Sequence, residues 1–309
     1  FTILFFVMLS VLVSCYQSHK RELDLAYTLA ESKPDSALPF LNRINQGKLS
    51  DKDMAKYALT YYMAQDKSGL DVDNESLIRI AYDWYGEHQD DFLYASSLYY
   101  MGKCFLLNDS MEQAKSCLEK SYSISDSLHN MNLICLALDK LIEVEEQLAP
   151  YKALNYAKAL VKMYESMPNV SIYNKVAARL RLCDNFMFVD SLRQALCEGQ
   201  IALKLAMKDA DRNLYSFVCQ DLANVYEKVG EKDSCLFYAR QAYSSNGTDR
   251  LSCQLMLASA YISVDSIERA FAILKQATPK TPEDRYSVFF MQSQAAMKTS
   301  NYMLAKTFG

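Results

Sequence analysis

Apolar and polar positions alternate along this chain with a helical rhythm, most regularly between Ala95 and Asp126. Leu98, Met101, Gly102 and Phe105 recur three and four apart, the run stops at Asn108-Asp109, and it resumes as Ala114, Leu118 and Ser121. That spacing predicts two amphipathic helices joined by a tight turn, each too short to be stable alone. Ser110 with Gln113 three residues later reads as a capping box that marks the start of the second helix. Gly102 and Ala114 are small where the two helices of a hairpin must approach most closely.

The same pattern predicts hairpins along the rest of the chain. Residues 21–44 form one, with Pro34 in the turn, and 51–65 and 75–88 form a longer pair around a loop at 67–74. Residues 130–167 follow, broken at Ala149-Pro150, and then 172–207, 215–244, 251–277 and a further start at 286–308 with Ala305 at the matching place. Taking Gly102 as origin, the equivalent positions Leu141, Cys183, Ala223 and Ala258 lie at successive intervals of 39, 42, 40 and 35 residues.

The order large–small–x–x–aromatic, then Ala nine residues later, is met by Met101-Gly102, Phe105 and Ala114. It returns as Leu182-Cys183, Phe186 and Ala195, as Leu222-Ala223, Tyr226 and Cys235, and as Leu257-Ala258, Tyr261 and Ala270. This resembles the tetratricopeptide (TPR) repeat, a helix-turn-helix unit of 34 residues. The resemblance covers residues 21–309. It implies an all-α fold in which TPR-like helical-hairpin repeats form a right-handed superhelical solenoid, with Leu118, Ala239 and Leu274 also packed between helices. It further implies a groove lined by fixed positions of each first helix: Ser96, Tyr99 and Lys103 in one repeat, Phe217, Gln220 and Asn224 in another, Ser252, Leu255 and Ser259 in a third. Relatives that clamp a terminal carboxylate use several Lys, Arg and Asn. Only Lys103 and Asn224 suit that role here, in distant repeats. The mixed Tyr, Ser, Asn and Gln lining suggests instead an extended peptide or protein loop held without strong charge selection.

Composition adds constraints. Half of the 309 residues are apolar and 12% are aromatic, which suits a folded chain, and six Pro and eight Gly leave little room for β-hairpins. A net charge of −4 gives no reason to expect a nucleic-acid partner. Phe1 to Val13 carries no charge and reads as the apolar core of a secretory signal peptide over residues 1–14. Leu12-Val13-Ser14-Cys15 resembles the bacterial lipobox, which implies diacylglycerol on the Cys15 thiol, a tether over 15–20, and a place in the cell envelope, periplasmic or at the outer-membrane surface. No Met or basic residue precedes Phe1, and the chain stops inside an apparent helix, so a longer natural chain is expected. Together with LAESKPDSALPFLNRI and the 57–85 stretch, these features are similar to TPR lipoproteins of gut Bacteroidetes. Some relatives continue into a membrane helix and a cytoplasmic DNA-binding segment, which implies an alternative role as the extracytoplasmic sensory part of a membrane transcriptional regulator.

Candidate chemistry is sparse. The sequence has no Gly-rich phosphate loop, no H-E-x-x-H and no G-x-S-x-G. Adjacent acids such as Glu145-Glu146 point to different helix faces. His19, His88 and His129 are not at metal-ligand spacing from one another or from a Cys, so neither metal nor cofactor is expected. The eight cysteines after Cys15 are widely spaced, and Cys183 and Cys235 occupy small-residue positions, so they read as free packing residues. Asp followed by Ser and an apolar residue recurs at Ser36, Ser110, Ser127, Ser191 and Ser266. It resembles the O-glycosylation acceptor of exported Bacteroidetes proteins, while Asp and Ser are also favoured helix caps. The expectation is a non-enzymatic, membrane-anchored scaffold with a protein or peptide partner.

Overall fold

The computed structural model describes residues 20–71, 74–88, 90–245 and 250–299. The segment 1–14, Cys15 and Ala305 lie outside the described residues. No strand occurs among the described residues. The chain divides into two compact units at the end of one helix, the first reaching Gln147 and the second starting at Leu148.

Unit 1 contains α1 (20–32), α2 (Pro34–Leu41), a 3-10 turn (Gln46–Lys48), α3 (Asp51–Lys67), α4 (Glu75–Glu87), α5 (Asp91–Leu107), α6 (Met111–Ser127) and α7 (Met131–Leu148). Lys20, expected in the tether, is already helical. Consecutive helices from α2 to α6 pack in antiparallel pairs, and the first helices α3 and α5 also touch. Unit 2 contains α8 (Pro150–Ser166), α9 (Ile172–Phe188), α10 (Leu192–Ala206), α11 (Arg212–Val229), α12 (Lys232–Ser244), α13 (Arg250–Ser263), α14 (Ile267–Leu274) and α15 (Pro282–Lys298). Here α9, α11, α13 and α15 contact one another in series as one layer, and α10, α12 and α14 form the second.

The small residues act as the sequence predicts. A Cβ on Gly102 would come within 2.7 Å of Leu118 Cγ, so only glycine allows α5 and α6 this close. Cys183, Ala223 and Ala258 occupy the same place in later hairpins, opposite Ala195, Cys235 and Ala270, and all six are at most 1% exposed. Leu118, Leu222 and Leu274 fill the adjoining layers and are at most 2% exposed. No helix face of this size is stable alone, so burial between neighbours supplies the stability. All eight described cysteines are free thiols.

The turns hold a feature not anticipated. Asp109, Asp190, Gly230 and Asp265 each follow the small residue of the first helix by seven, and each has a left-handed backbone, with φ of 53°, 55°, 84° and 55°. The next N–H closes a six-residue ring onto the helix, as in Ser110 to Phe105 O (2.8 Å), Ser191 to Phe186 O (2.8 Å), Glu231 to Tyr226 O (3.0 Å) and Ser266 to Tyr261 O (2.9 Å). These are Schellman turns, for which Gly, Asn and Asp are suited. They correct the capping-box reading. Ser110, Ser191 and Ser266 stand at the N-cap but make no side-chain cap bond. Their ψ values are 66°, 58° and 56°, whereas the bonded hydroxyl caps Ser50, Ser171 and Thr281 have 162°, 150° and 166°. Leaving a Schellman turn aims the short hydroxyl away from the N3 amide.

Candidate functional site

The inner face of unit 1 is made by α1, α3, α5 and α7, and it carries a cavity of about 270 Å³ to which all four helices contribute. Tyr27 and Glu31 come from α1, Leu59, Met63 and Lys67 from α3, Phe92, Ser96, Tyr99 and Tyr100 from α5, and Asn132, Leu133 and Leu136 from α7. A second cavity of about 470 Å³ shares Tyr27, Leu59 and Phe92 with it and extends to Lys20, Lys52, Asp53, Tyr85 and Asp90. A third, of about 210 Å³, lies among Leu70, Lys103, Leu106, Lys140 and Glu143.

The floor is aromatic because Tyr99 and Tyr100 of α5 line it, with the fully buried Tyr62 of α3 behind them. Tyr62, Tyr99 and Tyr100 are 0%, 3% and 5% exposed. Tyr99 and Tyr100 meet edge to face with centroids 5.0 Å apart, and Tyr62 meets Tyr100 at 6.4 Å. Burial, reinforced by the charge of Asp66, pushes both the Tyr99 and Tyr100 hydroxyls well above the usual phenol range, so they stay neutral. Phe92 and Leu136 stand at the rim, 38% and 41% exposed.

Three lysines of the two neighbouring cavities have carboxylate partners, while the exposed Lys67 lines the four-helix cavity itself. Lys56 pairs with Asp24, Lys103 with Asp66, and Lys140 with Glu143 at 2.7 Å. Lys67 Nζ donates to the Glu31 main-chain oxygen at 3.4 Å, at the C-terminal end of α1 where carbonyls are unpaired.

The predicted groove residues divide between the units. Tyr99 and Lys103 are in unit 1 and lie together, the ammonium 5.9 Å from the ring centre. Tyr99 serves as floor and core more than as an open contact surface, because its ring fills the space between α3 and α5. Lys103 is half-buried and committed to Asp66. Phe217, Gln220 and Asn224 share a face of α11, with Phe217 38% exposed and the other two half-buried. On α13, Leu255 packs against the cluster around Ala258 and Leu274, and the Ser259 hydroxyl donates to Glu227 of α11 at 2.6 Å. Between Gln220 and Asn224 sits a group the sequence reading missed. Burial first, then the Asp184 charge, raises the Asp221 carboxyl well above its usual range. Both acids fall on the inner layer of unit 2, so the signal was present in the register of α9 and α11.

The remaining candidates are spread over the surface. Ser36 and Ser127 are exposed, and Ser110, Ser191 and Ser266 are half-buried at turns. Among the described residues, no group of three or more His, Cys, Asp or Glu could hold a metal ion. No helix among them is long and apolar enough to cross a membrane.

No protein-family model and no curated protein sequence matches the chain. Solved structures do. The apo form of RapI superposes with a TM-score of 0.75 at 12% identity, over 94% of this chain and 85% of that one. A Rap protein complexed with competence and sporulation factor gives 0.65 at 12% identity, with the same coverage. NprR in complex with its cognate peptide NprX gives 0.62 at 14% identity, over 94% of this chain and 86% of that one. The fold of this chain is therefore that of TPR-like helical-repeat proteins.

Proposed function

We propose that this protein is a non-catalytic scaffold that holds an extended peptide or protein segment along the inner face of unit 1, and that it works at the cell envelope, anchored by diacylglycerol on Cys15. The observation that carries the binding reading is the cavity crossing α1, α3, α5 and α7. An extended segment laid across four first helices meets an apolar floor for its side chains. It also meets amide and hydroxyl groups at Asn132 and Ser96 for its backbone. Two structures sharing the fold are complexes, one with competence and sporulation factor and one with the peptide NprX, which supports a peptide or protein partner here.

A photo-crosslinking amino acid placed at Ser96 tests this in cells. Capture of a discrete partner from Ser96, with none from Glu112 on the exposed face of α6, is the expected result. Equal capture from both positions would refute the groove. For the anchor, Cys15→Ala is expected to release the protein from envelope membranes, and continued retention would remove the lipid from the account. Ser36 and Ser127 are the exposed acceptors for the proposed O-glycans, and an intact mass equal to the polypeptide alone would exclude modification.

A further inference from the structure

We infer that Cys219 of α11 and Cys253 of α13 form a cross-linkable thiol pair, which an oxidant of the disulfide class joins into a covalent staple between two successive hairpins of unit 2. Both thiols are free in this structure. The pairing goes beyond the scaffold reading and stands independently of it.

Position is the first argument. The two cysteines share one buried cluster with Ala242, and Cα atoms of α11 and α13 approach within 8 Å. The Cys253 sulfur lies 3.5 Å from the Ser216 hydroxyl. Ser216 and Cys219 are three apart on α11, so they are neighbours on one helix face with Cβ atoms about 5–6 Å apart. The Cys253 sulfur thus stands within a turn of the Cys219 side chain, and Ala242, the third member of the cluster, brings only a methyl group. A disulfide needs Cβ atoms about 3.5–4.5 Å apart, so closing the bond takes side-chain rotation and a slight approach of the two helices. Selectivity is the second argument. Cys183 and Cys235 belong to separate clusters, and Cys197 is exposed. In an unfolded chain the short separations, Cys104 to Cys117 and Cys183 to Cys197, close most readily. Folding reverses that order by placing Cys219 beside Cys253.

The chemistry balances with oxidised glutathione as the oxidant. One cysteine thiolate attacks the S–S bond of the oxidant, forms a mixed disulfide and expels one glutathione thiolate. The second cysteine thiolate attacks the protein sulfur of that mixed disulfide and expels the other. The two cysteine protons end on the two released thiols, and two electrons pass from the protein to the oxidant. Burial pushes the Cys219 thiol up to about 11, against the pull of the Tyr215 hydroxyl that donates to its sulfur. Attack within the closed fold is therefore slow, and the bond forms most readily while α11 and α13 are coming together.

The test refolds the reduced full chain from urea in a buffer of oxidised and reduced glutathione. Remaining thiols are trapped by alkylation, and linked peptides are mapped by mass spectrometry without reduction. A linkage of Cys219 to Cys253 at least about tenfold more abundant than any other pair is expected in the refolded chain. With urea kept throughout, the Cys104–Cys117 and Cys183–Cys197 pairs should dominate instead. The linked chain should melt at least about 5 °C higher in unit 2 than the same chain after reduction. Cys253→Ala should remove that rise, and Cys235→Ala should keep it. Glutathione adducts with Cys219 and Cys253 unlinked, equal abundance of other pairs after refolding, or a linked chain that melts no higher than the reduced one would each overturn the pair. The scaffold reading would stand in every case.

Discussion

The two units use one hairpin design with different residues inside it. In unit 1 the buried positions of α3 and α5 include Tyr57, Tyr62, Tyr99 and Tyr100. In unit 2 the corresponding helices α9, α11 and α13 bury Val176, Cys183, Val218, Cys219, Ala223, Cys253 and Ala258. Rings line the cavities of the inner face of unit 1, while unit 2 holds a cavity of about 230 Å³ among Val161, Tyr164, Arg179, Ile201 and Leu205. Glycine allows close approach in both units, Gly102 against Leu118 and Gly199 of α10 against Leu222, where an added Cβ would lie 2.7 Å from Cγ and 2.8 Å from Cδ2. The units thus differ in what lines their cavities, with tyrosine rings prominent in unit 1 and aliphatic and charged side chains in unit 2.

The comparison can be broken most severely at Tyr62, which is fully buried. Tyr62→Ala should destabilise unit 1 by about 3–5 kcal/mol and leave the melting of unit 2 unchanged. Differential scanning calorimetry of the full chain checks this, and a single cooperative loss of both units would show that they do not melt separately. Gly102→Val comes next. The added carbons collide with Leu118 and the Ala114 carbonyl, and a loss of about 1–3 kcal/mol is expected by urea denaturation.

Asp221 sharpens the contrast from the side of unit 2. Its folded pKa is raised, so the native state holds its proton more tightly than the unfolded chain does. The stabilising contribution is therefore present at acid pH, below the unfolded value, and is lost as pH rises through the folded value. Asp221→Asn should raise the melting midpoint of unit 2 by a few degrees at neutral pH, with the gain vanishing in acid. A gain equal at both pH values would assign the effect to packing. The smallest change is expected at the turns. Asp190→Gly relieves a left-handed backbone and should stabilise by about 0.5–1 kcal/mol, while Gly230→Ala should cost a similar amount.

Much of the architecture was legible because small residues recur at a readable distance from aromatic ones. Gly102, Ala114, Leu118, Cys183 and Ala258 were all placed correctly in the packed layers from their spacing and the repeat pattern it resembles. Cys183 and Cys235 were rightly read as small hydrophobes, and their thiols are free. The site was less legible for two reasons. Lys103 finds Asp66 across 37 residues of sequence, a pairing no local pattern announces. Tyr99 sits at a groove register, but whether a ring there faces out or in depends on the residues of α3, which the local pattern of α5 does not record. The turns were misread for a local reason. Asp-Ser suggested a cap at Ser, whereas the backbone uses the Asp, and the constant seven-residue offset from Gly102, Cys183 and Ala258 was the overlooked sign.

That offset also bears on how such a chain can change length. With the left-handed residue at one offset in four hairpins, those turns share one backbone geometry whatever the loop after the hairpin holds, while the hairpin of Leu141 turns instead at Ala149-Pro150. Whole cassettes can then be inserted, duplicated or deleted without re-aiming their neighbours. Length variation is absorbed where the hairpins join, at the segments around Asn169 and Asp209, and the stacking interfaces are left untouched.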